Sequence, residues 1–263
     1  MSAKPLRKVV KWSAILLLTA VLAAAGVLYL LACSVPVNYR PAPLSAQQRR
    51  QTAPQFVNHL LLFGKDAENV VPYTWSATEE QLNWYLASMD EVAALPPGRE
   101  PGQVDKMMKD AGIADPAVAL GDGVLTVMVR STEYGKVLAA DVSFVFQPEH
   151  NVSVRLGAVR VGRLPVPKAH LRGVLQQIKD KLTAAMSRPM RNGKAGGGSF
   201  ETVAADRVPK LLARVVAAID AEPISAELVW PIGDRRVRID GIDIADHRLT
   251  LRATPIGRDR AAK

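Results

Sequence analysis

From Trp12 to Asn38 the chain carries no charged residue, and within that run Ala14 to Ala32 is almost wholly Leu, Val, Ile and Ala. A helix on a soluble domain keeps a polar face, whereas about 20 uninterrupted apolar residues are what a helix needs to cross the hydrocarbon of a bilayer. Lys4, Arg7, Lys8 and Lys11 stand on the N-terminal side of the run. By the positive-inside rule they hold the N-terminus in the cytoplasm and send everything after Pro36 across the membrane. Arg40, Arg49 and Arg50 weaken that asymmetry without reversing it. The expected organisation is a basic cytoplasmic segment over 1–11, a transmembrane helix over 12–35, a spacer over 36–44 and one extracytoplasmic domain over 45–263. In the helix Leu16, Leu17, Leu18, Val21, Leu22, Val27, Leu28 and Leu30 form the anchor proper.

The same residues admit two other readings, a cleaved secretory signal or a lipoprotein signal in which Leu30, Leu31, Ala32 and Cys33 approximate a lipobox. Leu31 suits the middle of such a site poorly, and the apolar run exceeds the roughly 7–15 residues of a signal h-region, which favours an uncleaved anchor. All three readings place the remaining domain beyond the membrane. Cys33 is the single cysteine, so no intrachain disulfide and no cysteine zinc site is available, and the domain must be held by its own apolar core.

A net charge of +9 invites a nucleic-acid reading, but removing the four cations before the apolar run leaves +5. The rest is interleaved with acidic residues and lacks the dense Lys/Arg tract with aromatic partners that tracks a phosphate backbone. The expectation is no nucleic acid as partner; a mildly basic surface suits anionic membrane lipids better.

After the Pro36–Pro43 spacer, Phe56, Val57, Leu60 and Leu61 recur at helical spacing within Ser45–Phe63. A second helix is expected over Ser76–Met89, where Ser76 or Thr78 caps, Glu79 and Glu80 favour the helix dipole, and Leu82, Tyr85, Leu86 and Met89 share a face. Pro96, Pro97, Gly98, Pro101 and Gly102 mark a loop. From Pro116 the period becomes two: strands at 117–120, 124–130, 137–146 and 152–161 form a β-meander. In its last strand the alternation slips one residue at Gly157, as at a bulge. Leu171, Val174, Leu175, Ile178 and Leu182 then line the stripe of a long helix, 193–199 read as a glycine-rich linker, and Val208, Leu211, Leu212, Val215, Val216 and Ile219 mark another helix. Strands at 226–230, 236–240 and 248–253 complete the domain. The fold class expected is α+β: a curved antiparallel β-meander packed on amphipathic helices, preceded by one N-terminal transmembrane helix.

No dinucleotide fingerprint, Walker loop, HExxH or nucleophile elbow is present, and Gly196, Gly197 and Gly198 lack the Lys-Ser/Thr ending of a phosphate loop. His59, His150, His170 and His247 show no metal-ligand spacing. Asp240, Asp243 and Asp246 recur every third residue but lie among strand-like Ile242 and Ile244, so they read as hairpin and exposed-face residues. Glu79 and Glu80 diverge by about 100° on a helix, so capping explains them without catalysis. The expectation is a protein without enzymatic activity, cofactor or metal.

Thr78–Leu86 (TEEQLNWYL), Val159–Pro167 (VRVGRLPVP) and Val237–Ile244 (VRIDGIDI) together resemble the YpmS-like family of bacterial membrane-anchored proteins. The resemblance implies an N-terminal membrane helix in a bacterial cell membrane, a helix bearing Glu-Gln-Leu-Asn, a meander, and a Gly-x-Leu-Pro-x-Pro-like exit into a long helix. The layout looks like tubular lipid-binding domains, in which a curved sheet wraps a long helix and an acyl chain occupies the seam. The leading expectation is a lipid- or amphiphile-binding domain, its seam lined by Leu82, Leu86, Leu171, Val174, Leu175, Ile178 and Leu182. The alternative is a scaffold or accessory subunit of an envelope complex, with envelope proteins as partners and Asn83, Trp84 and Tyr85 exposed.

Overall fold

The computed structural model describes residues 4–66, 71–95, 101–110, 112–147, 150–167, 224–229 and 235–258. The first element is α1 (Lys4–Cys33), whose window Leu16–Cys33 is wholly unburied within the protein, with Leu16 73% and Leu30 68% exposed. One N-terminal helix is therefore long and apolar enough to span a membrane.

The spacer differs from its expectation. Tyr39 is buried at 7% exposure, packs with Ala117, Ala119, Met128, Val137 and Ala139, and donates its hydroxyl to Asp115 O at 2.8 Å. The prolines keep the segment extended, but its one aromatic ring is a core residue of the domain. Next comes α2 (Ala46–Asp66), opened by a reciprocal box in which Ser45 N donates to Gln48 Oε1 at 2.8 Å and Gln48 N to Ser45 Oγ at 3.3 Å.

The expected helix start at Ser76 is corrected: residues 73–78 are a strand, β1 (Tyr73–Thr78), and α3 (Glu79–Ala87) begins only after it. Thr78 caps α3 in a second box with Gln81, at 3.1 Å and 2.9 Å. Two short helices follow, α4 (Met89–Ala93) and α5 (Gln103–Asp110); the second falls where a plain loop was expected. The Asp90 carboxylate stitches that stretch, accepting from the backbone of Gly102 and, at 3.0 Å, of Val104.

The meander then runs β2 (Ile113–Gly121), β3 (Val124–Ser131), β4 (Val137–Gln147), β5 (Asn151–Val161) and β6 (Leu164–Pro165), every pairing antiparallel. After it come β7 (Ile224–Ser225), β8 (Glu227–Val229), β9 (Arg235–Ala245) and β10 (Arg248–Arg258). The sheets are ordered β2-β3-β4-β5-β6, with β7 on β5, and β1-β10-β9-β8. β9 runs past its expected end at Asp240 because Ile242 and Ile244 continue the alternation, and Asp246 and His247, both at positive φ, turn the chain tightly into β10.

Two contacts join the sheets into a circuit. β7 and β8 pass the chain from β5 in one sheet to β9 in the other, and α3 carries it from β1 to the β2 edge. At that edge the Asn83 side chain, buried at 5% exposure, receives Val118 N–H at 2.8 Å and donates to Val118 O at 2.9 Å. One residue pair along, Glu79 Oε2 accepts Leu120 N–H at 2.8 Å. The helix thus supplies the partners that a further strand would have supplied. Glu79 is consequently more than a cap.

Register shifts occur at Gly157–Ala158 opposite Asp141, where the sequence slips, and at Asp240 opposite Arg252/Ala253. Each aspartate turns to a threonine and an arginine. Asp141 accepts from Thr126 at 2.8 Å and from both Arg160 terminal nitrogens at 2.8 and 2.5 Å, and Asp240 accepts from Thr254 and, at 2.6 Å, from Arg238 Nε. Both hold the bend a bulge puts into a strand.

Candidate functional site

The alternation along β3, β4 and β5 gives the meander one face of small and mixed side chains and one that is continuously apolar. On the apolar face the paired positions are Leu125–Val142, Val127–Ala140 and Val129–Leu138 between β3 and β4. Between β4 and β5 they are Leu138–Val161, Ala140–Val159, Val142–Leu156, Phe144–Val154 and Phe146–Val152, the bulge at Gly157 keeping the phase.

Coverage of this face is uneven. At one end Val152 is buried at 7% exposure, and Phe146 packs on Val237, Ile239, Ala253 and Phe63 of the other sheet and α2; Val118 and Leu120, cross-strand partners of Val127 and Leu125, are also buried, at 8% and 2%. At the opposite end Val127 is 40% and Leu138 38% exposed, while Val129, Ala140, Val159 and Val161 are half-buried.

That open end is where α1 meets the domain. Val161 leads into the turn at Gly162, which holds φ at +60° and lies so close to the end of α1 that a Cβ there would sit 2.6 Å from the carbonyl oxygens of Leu31, Ala32 and Ser34. A helix ends with carbonyls that have no intrahelical donor. Here Arg163 N–H donates to Leu31 O at 2.9 Å, beside Ser34 Oγ at 2.7 Å, and Arg163 Nε donates to Val35 O at 3.3 Å. From the β3–β4 connection Lys136 Nζ donates to Cys33 Sγ and stands 5.1 Å from the centre of the Tyr29 ring. Val35 and Val37, just past the helix, are 54% and 67% exposed.

At the far end an aromatic group fastens α2 to β1 and α3. Phe56 stacks on Tyr85 with centroids 4.5 Å apart, His59 on Trp75 at 4.9 Å, and Phe63 meets Tyr73 edge-on at 5.1 Å. Tyr73 Oη and Trp75 Nε1 have no hydrogen-bond partner among the described residues. Burial, with the nearby Asp66 charge, pushes the Tyr73 phenol up to about 12, so it stays neutral and suits an apolar cluster rather than proton transfer. Desolvation lowers His59, whose Nδ1 lies 3.2 Å from Tyr85 Oη. Exposed His247 pairs with Glu79 Oε2 at 3.0 Å, but that oxygen is already committed to Leu120 N–H. Among the described residues no group of three His, Cys, Asp or Glu is placed to hold a metal ion.

Of the residues expected to line a seam, Leu82 is half-buried on α3, and Leu86 borders an open cleft of about 180 Å³ together with Arg49, Asp90, Asp105 and Lys109. That cleft is smaller than the roughly 300 Å³ at which small-molecule pockets begin and is rimmed by charge. Leu171, Val174, Leu175, Ile178 and Leu182 lie outside the described residues, as do the glycine-rich linker and the helix expected after it. Asn83 and Tyr85, expected as exposed recognition residues, are buried, and Trp84 alone reaches 36% exposure. The open end of the meander face was missed by sequence reasoning, although the period-2 pattern names every residue on it. What the pattern lacked was which end adjoins α1. No protein-family model matches this chain, and no curated protein or solved structure matches it.

Proposed function

We propose that this protein is a non-catalytic binding domain, anchored in a bacterial cell membrane by α1 with its N-terminus cytoplasmic, that takes a lipid or other amphiphile onto the apolar face of its meander. The observation that carries this reading is the juxtaposition of a partly exposed apolar sheet end, at Val127 and Leu138, with the C-terminal end of α1. Apolar surface left in water costs about 25 cal/mol per Å², and each CH₂ of an acyl chain laid on it regains about 0.8 kcal/mol. A chain sliding out of the adjoining leaflet has the shortest path to this end. The circuit of two sheets with an apolar face turned inward supports the likeness to tubular lipid-binding domains, and the Thr78–Leu86 segment supports the YpmS-like one.

The test uses the full chain in nanodiscs whose phospholipid carries a diazirine in the acyl chain. Crosslinks are expected on α1 and, separately, on β3–β5 peptides containing Val127, Leu138 and Val159, the latter reduced several-fold by Leu138→Asp. Crosslinks confined to α1 would sink the uptake proposal.

The scaffold alternative has one observation in its favour: Trp84 on α3 and Met89 at the start of α4 are 36% and 37% exposed, and exposed aromatic residues serve as interface anchors. Photocrosslinking from position 89 in native membranes, with Trp84 kept or replaced by Ala, separates the two readings: a protein adduct lost with Trp84→Ala favours the scaffold.

A further inference from the structure

We propose that the β3–β4 connection, with Tyr134 at its tip, is a second membrane contact that seats in the headgroup layer beside α1. The argument starts from Tyr29. It lies inside the apolar window that ends at Cys33, is 68% exposed, and stands about 6 Å back into the bilayer from Cys33 at 1.5 Å per residue. That is the depth at which the amphipathic rings of tyrosine concentrate. Lys136 Nζ reaches both Cys33 Sγ and the Tyr29 ring, so part of the domain lies level with the last turn of the span.

The tip lies beyond Lys136 along β3 and β4. It is held stiffly, since Ser131 N–H donates to Lys136 O at 2.8 Å, Gly135 N–H to Ser131 O at 2.9 Å and Thr132 N–H to Gly112 O at 2.9 Å. Tyr134 projects from it at 68% exposure, an aromatic ring on a bonded turn whose hydroxyl meets the side chain of the adjacent Glu133. The contact is continuous with the docked end of α1, and an exposed tyrosine ring beside the end of a membrane-crossing helix fits the headgroup layer of phospholipids. A protein partner at this point would have to displace lipid already touching Tyr29.

The inference rests on α1 crossing the bilayer but not on amphiphile uptake, and the experiment keeps them apart. In full-length protein with Cys33→Ser, a nitroxide is placed singly at Leu22→Cys, Glu133→Cys or Asp122→Cys and the chain is reconstituted into phosphatidylcholine–phosphatidylglycerol nanodiscs. Relaxation by oxygen and by a water-soluble nickel chelate gives depth. The oxygen-to-nickel ratio is expected to be highest at 22, lowest at 122 in the β2–β3 turn, and at 133 several-fold above 122. A ratio at 133 equal to that at 122, with 22 still deep, overturns the contact and leaves the anchor standing. Adding Tyr134→Ser is expected to bring 133 back toward the value at 122; an unchanged ratio would mean shielding by protein and overturns the proposal as well.

Discussion

Replacing Asn83 with Leu is expected to lower the unfolding free energy by about 3 kcal/mol, more than a typical single substitution in this chain. The side chain is buried, and its amide is the sole described partner of both Val118 backbone groups. Leu fills similar space but leaves a buried N–H and a buried carbonyl unpaired, each costing about 1–3 kcal/mol. Asn83→Asp preserves the acceptor for Val118 N–H but sets a carboxylate oxygen against Val118 O, so it is expected to be no better. Urea unfolding of the full chain in micelles, followed by tryptophan emission, measures this. A loss under about 1 kcal/mol would mean that the β2 edge is held by other groups.

The second large effect is expected from Gly162→Ala. One added carbon meets three carbonyl oxygens at 2.6 Å, and the residue must also keep φ at +60°, where an L side chain is strained. Backbone oxygens on a helix end cannot step aside, so the contact itself should open. A cost of about 2 kcal/mol or more corresponds to a shift of roughly thirtyfold between docked and undocked forms. Cys33 is the only thiol and sits under Lys136 in the docked form, so its alkylation by a membrane-permeant maleimide reads the shift directly. An alkylation rate unchanged from the wild type would show that the turn is not what holds α1.

The sequence was legible wherever the determinant is local. The apolar run, a cap at Thr78 as one of the two candidates, the strands of the meander and even the slip at Gly157 follow from spacing within a few residues. β1 was misread because its partner is β10: Tyr73 pairs with Ala253, and nothing near Trp75 announces a strand whose neighbour lies at the other end of the chain. Ser76 and Thr78 look like caps in isolation, yet only Thr78 is one. Tyr39 was taken for spacer because prolines dominate its neighbourhood, while the cavity it fills is made by residues from Ala117 to Ala139. Glu79 and Asn83 read as helix residues because no local pattern shows that a bare strand edge is waiting for them. For the candidate site the residues were legible and the exposure was not, since exposure depends on which end of the face the second sheet covers.

The docked segment after α1 also changes what sort of tether this is. Were the stretch from Cys33 to Ala46 a free coil, its ends would wander over roughly 20 Å, and the domain would take many positions about the end of α1. With Tyr39 in the core and Leu31 bonded to Arg163, that freedom is surrendered once, on folding. The open end of the sheet then keeps a place beside the end of α1 that is fixed by geometry rather than by chain statistics. Turning α1 about its own axis turns the whole domain with it.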